Sequence, residues 1–416
     1  MRVLQLHYFG YGHGGGTVAV RRLHTGLRKA GVDSRVLCKV KNVDSPEVVQ
    51  LRRGRLHKRL QPKLDKFAMW AGLRGLVVPG VGAQVLHSDE YKAADLVHIH
   101  RVFDYVSYVS LPRLTRNKPT VLTLHDMWAF TGHCYVSMEC DKWQTGCGAC
   151  PHLDIFPSIS HDNTRLEWKL KNWAYKNSML TIVAVSKSMK EMAEKSMLGH
   201  CDIHYIPCGV ETDVYVAHDS EMSRKMLQIP HGKKVLLAVT HAFQNYNKGK
   251  DLLLKSLQLL PAKLKSETVL LMFGDQGKSI GPHVDMQYID LGFVSNDALK
   301  AIAYSAADLF LCPTRGEALG LVALESISCG TPVISFKVNG VSDIVRPGVT
   351  GDSAEPEDVE GYTAKITALM ENDHLRERIR RECRSLAVSE YDVGVIAQKH
   401  MDLYNEVLAK NNDKNP

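Results

Sequence analysis

The chain has no run of the roughly 18 to 20 consecutive apolar residues that a helical membrane span requires, which argues against an integral membrane protein. Its opening run, MRVLQLHYFGYGHGGG, is too short and too interrupted for a signal peptide, so the sequence predicts a cytoplasmic protein. Cysteine is scarce as well. Ten in 416 residues cannot form a disulfide scaffold. No short-period repeat recurs, and no recognised nucleic-acid module accompanies the basic residues. Hydrophobic residues (44%) and charged residues (23%) stand at ordinary globular levels, which excludes a disordered, collagenous or coiled-coil chain. The net charge of +7 suits anionic small molecules, anionic lipid or nucleic acid, and alone chooses none of them.

What is present is alternation. Short Val/Leu/Ile runs predict strands at Val3–Leu6, Val36–Cys38, Leu96–Ile99, Val121–Leu124 and Thr181–Val185. They recur at Val235–Val239, Thr268–Phe273, Asp308–Leu311 and Pro332–Ser335. Runs without polar alternation fit strands buried on both faces of a parallel sheet. Between them Val20, Leu23, Leu27 and Ala30, and again Leu253, Leu257 and Leu260, fall at helical spacing. The pattern predicts a doubly wound α/β architecture. It restarts after Ile206-Pro207-Cys208-Gly209, with the polar stretch Glu211 to Lys234 read as a linker. The expected domains are 1–207, 208–390 and a C-terminal helical segment, 391–416, that packs back on the first domain and ends in a disordered tail. Ligands of open parallel sheets bind at strand carboxyl ends, so a cleft between two facing domains is the expected site.

Four segments carry chemistry. Gly10-Tyr11-Gly12-His13-Gly14-Gly15-Gly16 follows the first strand and opens a helix. It is either a tight turn or a place where backbone N–H groups approach a phosphate or sugar. Thr314 to Glu325 places Glu317 at a strand's carboxyl end and Glu325 inside a helix predicted to start near Leu319. That arrangement suits a sugar diphosphate, although two glutamates also suit a helix N-terminus alone. Cys134, Cys140, Cys147 and Cys150 cluster in one loop with a C-x2-C pair, a pattern for structural zinc, with two local disulfides as the alternative. Residues 51–74 hold Arg52, Arg53, Arg55, Lys58, Arg59, Lys63, Lys66 and Arg74 against the single acid Asp65. Leu56, Leu60, Leu64, Phe67 and Trp70 share a helical face there, so the segment suits an anionic lipid surface or a solvated basic face over a core.

The run E-A-L-G-L-V-A-L-E resembles the E-x7-E motif of retaining family 4 glycosyltransferases (glycosyl transferases group 1) of the GT-B fold. Asn245-Tyr246-Asn247-Lys248-Gly249, Gly292-Phe293-Val294-Ser295, Asn339 to Val345, Ser186-Lys187-Ser188, Ile206-Pro207-x-Gly209-Val210 and Leu124-His125-Asp126 agree with that family in order and spacing. The resemblance implies two Rossmann-like domains and a nucleotide diphosphate sugar as donor. It implies Glu317 on the sugar hydroxyls, Ala318, Leu319, Gly320 and Leu321 near the phosphates, and Glu325 on the ribose. Lys248 would neutralise the leaving diphosphate, Phe293 and Val294 would lie against the base, and Gly15 and Gly16 would close over phosphate and acceptor. His125 would face the transferred sugar. No catalytic metal is implied. The acceptor would be a glycan or lipid-linked hydroxyl in surface polysaccharide or glycolipid assembly, reached at the inner face of the membrane. The chain departs from the family where an Arg usually precedes the motif lysine: only His241 and Lys250 are nearby. A nucleotide-sugar epimerase or a non-catalytic nucleotide-sugar-binding subunit is the alternative reading.

Overall fold

The computed structural model describes residues 1–10, 14–51, 62–64, 66–68, 70–73, 80–100, 102–103, 105–155 and 157–412. The predicted features at Gly12, at Arg52 to Leu60, at Asp65 and Arg74, and in the tail from Asp413 lie outside them. The chain divides into two compact units, Met1–Gly209 with the stretch from Gly394, and Val210–Val393.

The first unit is built on seven strands: β1 (Arg2–Phe9), β2 (Asp33–Val40), β3 (Val48–Gln50), β4 (Leu96–Ile99), β5 (Thr120–Leu124), β6 (Thr181–Ala184) and β7 (Asp202–Tyr205). They lie in the order β3-β2-β1-β4-β5-β6-β7, every pair parallel. The second unit has β8 (Lys234–Val239), β9 (Thr268–Phe273), β10 (Gln287–Asp290), β11 (Leu309–Cys312), β12 (Val333–Phe336) and β13 (Gly351–Ala354). Their order is β10-β9-β8-β11-β12-β13, again all parallel. Both sheets are the doubly wound α/β type that the alternation predicts.

All nine predicted strands form: two with the predicted bounds, five within one residue at either end, and β1 and β2 four and five residues longer. The four that the pattern missed are β3, β7, β10 and β13, which are the four sheet edges. An edge strand is covered less completely, so it needs no continuous apolar run. The sequences VVQ, DIHY, QYID and GDSA show this.

The stretch Glu211 to Lys234 is not a linker. It packs into the second unit, where Tyr215 is fully buried and Arg384 Nη1 donates to its carbonyl at 2.8 Å. Thr212 donates to Asp392 and a helix runs over Ser220–Met226. The last helix, Val393–Asn412, sets Ile396, Ala397, Leu403 and Tyr404 in one buried cluster with Val3, Leu96, Val121 and Val183 of β1, β4, β5 and β6. No helix among the described residues is long and apolar enough to cross a membrane.

One polar contact in the first unit fastens a loop to a helix. Lys171, in the helix Thr164–Lys176, is wholly buried, and its ammonium donates to the carbonyls of Trp128 (2.7 Å) and Thr131 (3.0 Å) while lying 3.3 Å over the Trp128 ring. Burial draws its pKa down to about 8, and Glu167, 3.8 Å away, opposes that fall. The ammonium therefore pins the loop after β5, the loop that carries the cysteines, to a helix beneath it.

Candidate active site

In each sheet the strand order reverses once, between β1 and β4 and between β8 and β11. Loops leaving two such strands run to opposite faces, which opens a crevice at their carboxyl ends. Most of the predicted site residues fall at strand carboxyl ends, within or near these crevices.

In the first unit the helix Gly15–Lys29 is the next element after β1, and Gly14 at φ 106° is its N-cap. A Cβ at Gly16 would meet nothing within 4 Å, so the space over this helix start is open. His125 follows β5 and is half-buried, with its Nε2 3.1 Å from Nδ1 of His100, the residue after β4.

The second unit assembles Lys248 and Glu317. Lys248 ends a short turn, Tyr246–Lys248, after β8, and Glu317 sits on the loop after β11. Their side chains form an ion pair, 33% and 22% exposed. Burial pulls the Lys248 pKa down, Glu317 pulls it up further, and the net shift is upward, so the ammonium keeps its charge.

Backbone contacts hold these two loops together. Thr314 Oγ1 and the Arg315 N–H both donate to the Asn247 carbonyl at 2.8 Å. Gly249 has φ 66°, and a Cβ there would stand 1.9 Å from the Pro313 oxygen, so only glycine permits the approach. Gly340, on the loop after β12, donates its N–H to the Glu317 carbonyl at 3.1 Å and presses equally close on Ala318. The conformation of the Glu317 loop is thus set from both sides.

The loop meets the helix Leu321–Ser328 two residues later than the sequence predicts, because Gly320 at φ 94° forms its N-cap. Ala318, Leu319 and Gly320 are therefore loop, and Leu321 is the first helical residue. The first-turn N–H groups of any helix have no partners within it, which leaves this turn suited to an anion. Glu325 lies one turn in, buried at 7% exposure, and accepts a hydrogen bond from Tyr304 at 3.4 Å. After β10, Phe293 is half exposed and Val294 buried. The Phe293 ring stands 6.2 Å from that of His241, whose Nδ1 is 3.2 Å from Asp275.

Sequence reasoning passed over Arg315, although it adjoins the glutamate loop. Its guanidinium, 4% exposed, grips both oxygens of Asp251 at 2.8 and 2.7 Å, reaches Glu357 at 2.6 Å and stacks 3.9 Å over Tyr246. It is a clamp between the loops after β8 and β11, already committed to two carboxylates. It is not the second cation that would grip a diphosphate.

The four clustered cysteines are all free thiols, so the disulfide alternative falls. They line one cavity of ≈ 20 Å³ with His133 and His152, and Cys150 Sγ lies 3.4 Å from His133 Nε2. Burial pushes the Cys134 thiol up to about 12 and Cys147 up to about 11. No three of these sulfurs lie within 4.8 Å of one another. Among the described residues only Asp202, His204 and Glu406 meet that spacing, and the Lys410 ammonium already pairs with both carboxylates at 2.8 and 2.7 Å.

The fold defines the class: a two-domain α/β protein of the GT-B type. Residues 13–214 match the model of Glycosyltransferase Family 4, and residues 219–385 match that of Glycosyl transferases group 1. Each half of the chain thus matches a glycosyltransferase family model. The chain is 32% identical over 184 residues to D-inositol 3-phosphate glycosyltransferase 1 of Catenulispora acidiphila, covering 41% of this chain and 44% of that protein. It is 24% identical over 246 residues to N-acetyl-alpha-D-glucosaminyl L-malate synthase of Bacillus anthracis, covering 56% and 61%. The chain thus spans less than two thirds of either relative. In fold it is similar to sucrose-phosphate synthase from Thermosynechococcus elongatus, with TM-score 0.70, 19% identity and 99% and 100% of the two chains covered. It is also similar to Anabaena HepE in complex with UDP and glucose, with TM-score 0.65, 18% identity and 98% and 100% covered.

If Arg315 is the clamp, Arg315→Lys loses the bidentate grip, because an ammonium is a point donor. Charged hydrogen bonds contribute about 1.5 to 3 kcal/mol, with the lower end expected here because Asp251 and Glu357 are half exposed. Chemical denaturation should show a loss of that size, and Asp251→Asn should add little on top of it. A fully additive double variant would refute the clamp.

Proposed function

We propose that the protein is a retaining glycosyltransferase that moves a hexose-type sugar from a nucleotide diphosphate sugar to an acceptor hydroxyl, in the assembly of a surface polysaccharide or glycolipid. The Lys248–Glu317 pair at the carboxyl ends of β8 and β11 carries this reading, supported by the two family matches. An ammonium beside a helix start offers concentrated positive potential to a diphosphate. A neighbouring carboxylate accepts hydrogen bonds from sugar hydroxyls and is displaced from the ammonium when the phosphates arrive.

In this scheme Lys248 and the backbone of Ala318 to Leu321 stabilise the charge that builds on the leaving diphosphate. Glu317 orients the donor sugar, and Glu325 receives the ribose hydroxyls. Phe293 supplies an exposed ring for the base, with Val294 beneath it. Gly15 and Gly16 leave room for phosphate and acceptor, and His125 acts on the transferred sugar. The bond from the anomeric carbon to phosphate oxygen breaks with its electron pair going to phosphate. The acceptor oxygen bonds to that carbon on the same face and gives its proton to the departing phosphate. This scheme requires no catalytic metal. The similar fold solved with UDP makes a uridine diphosphate sugar the first donor to assay.

Two finer assignments accompany it. The exposed Leu64, Phe67 and Trp70 beside Lys63 and Lys66 suit an anionic membrane surface that presents a lipid-linked acceptor. The four free thiols around one small cavity suit a structural zinc ion, whose capture would draw the sulfurs inward to about 2.3 Å. Such an ion would organise the loop after β5 and perform no chemistry.

Glu317→Gln should raise the transfer barrier by roughly 2 to 4 kcal/mol. Lys248→Ala should impair both kcat and donor KM, whereas Glu325→Gln should act mainly on KM. Wild-type turnover in Glu317→Gln would sink the site. Sedimentation with phosphatidylserine vesicles should fade with salt and weaken by about 1 kcal/mol per residue in Lys63→Gln and Lys66→Gln. Binding indifferent to both would remove the membrane assignment. Elemental analysis of protein purified without added metal should find about one zinc per chain, lost in Cys147→Ser. Metal-free, fully folded protein would end the zinc assignment.

A further inference from the structure

His125 opens a turn that closes on itself. The Met127 N–H donates to the Tyr135 carbonyl at 3.0 Å, and the Trp128 N–H donates to Asp126 Oδ1 at 2.8 Å. Thr131 Oγ1 donates to the Cys134 carbonyl at 2.7 Å. All three bonds lie within the turn, so they give it shape without fastening it to the rest of the unit.

The helix Thr164–Lys176 supplies a fastening. Lys171 Nζ reaches the Trp128 and Thr131 carbonyls at 2.7 and 3.0 Å, one inside the short helix Met127–Phe130 and one just past its end. The same ammonium lies 3.3 Å over the Trp128 ring, and Phe103 meets that ring edge-on at 5.1 Å. The side chain that grips this turn is itself wholly buried.

Burial makes it a costly grip. Taking an ammonium and a carboxylate out of water is expensive, and apolar residues of similar volume often stabilise a core as well or better. Glu167, one turn before Lys171, bears that cost. It is 1% exposed, and neither of its oxygens makes a well-formed hydrogen bond, although the Tyr108 hydroxyl is near. Its charge faces Lys171 at 3.8 Å. An apolar pair would fill this space, but it would offer no N–H to the two carbonyls that face it. What the charged pair adds is direction.

We propose that Lys171 is a positioning residue for sugar transfer. Through the Trp128 and Thr131 carbonyls it sets the turn that begins at His125, with Glu167 as its buried counter-ion, and so fixes where His125 stands beyond β5. The catalytic half rests on the reading of His125 as an active-site residue. The anchoring half does not.

Lys171→Met alone leaves Glu167 buried without its counter-ion. The test is therefore the double variant Lys171→Met/Glu167→Met in the full-length protein, which keeps the volume and leaves no charge behind. Glu167→Gln is the control, because Lys171 keeps its N–H donors there. Amide hydrogen exchange over residues 125–135 should quicken roughly 10- to 100-fold in the double variant, the scale of the charged hydrogen bonds lost, with β1, β4 and β6 unchanged. Its kcat should fall by roughly 10- to 100-fold with donor KM little changed, the scale of loss when a reacting group is misplaced. Glu167→Gln should stay near the wild-type kcat.

Unchanged exchange in the turn overturns the anchoring. Exchange raised equally across the first unit, or equal loss of kcat in the control and the double variant, would mean that the pair serves the fold as a whole, and the positioning role would fall. A loosened turn with wild-type kcat removes that role too. If the turn loosens but His125→Ala transfers sugar at the wild-type rate, the active-site reading of His125 fails while the anchoring stands.

Discussion

Both units depend on one constraint: a parallel strand exposes two faces, and each must be covered by helices that cross over between strands. A sheet wound in both directions from its centre satisfies this, and its strand order must then reverse once. The reversals fall between β1 and β4 and between β8 and β11. Each leaves a crevice at the carboxyl ends that no crossover covers. Gly14 to Gly16 and His100 lie beside the first crevice, and Lys248 and Glu317 beside the second. His125 follows β5, one strand along from β4. The residues proposed for the chemistry sit where covering the sheets leaves a gap.

Within the crevices, position is set by close backbone approach and by ions whose partners are fixed. Gly249 and Gly340 let neighbouring loops come closer than any side chain allows, and Arg315 holds the same loops through Asp251 and Glu357. The Lys248–Glu317 pair is different in kind. Both side chains are partly exposed, so this pair is open to solvent where the Arg315 clamp is not. In the first unit, buried Lys171 and the neutral histidines around His100 take the structural part. Their polar atoms are satisfied by named partners, and that keeps the loops after β4 and β5 in place.

How far these features were legible follows from how local each one is. Interior strands such as Leu96–Ile99 and Thr268–Phe273 announced themselves, because burial on both faces demands an unbroken apolar run. The edge strands did not, because a half-covered strand tolerates Asp202, Gln287 or Gly351. Glu211 to Lys234 read as a linker for a similar reason. Its polar surface is continuous in sequence, while its attachment depends on Tyr215 and Thr212 meeting Arg384 and Asp392 far along the chain.

The sequence by itself determined the two α/β units, the glycine turn, the E-x7-E segment and the cysteine cluster, since each is a spacing of residue types along a short stretch. Only the tertiary structure decided that Lys248 pairs with Glu317, that Arg315 is spent on Asp251 and Glu357, and that Gln5 meets His100. Those partners stand 69, 64 and 95 positions apart. A hydrogen bond or ion pair is specified by distance and direction in space, and no periodicity in the chain encodes a meeting between residues that distant. The cysteine loop lies between these cases: its four thiols were legible as a group, and only the fold could set how near their sulfurs come.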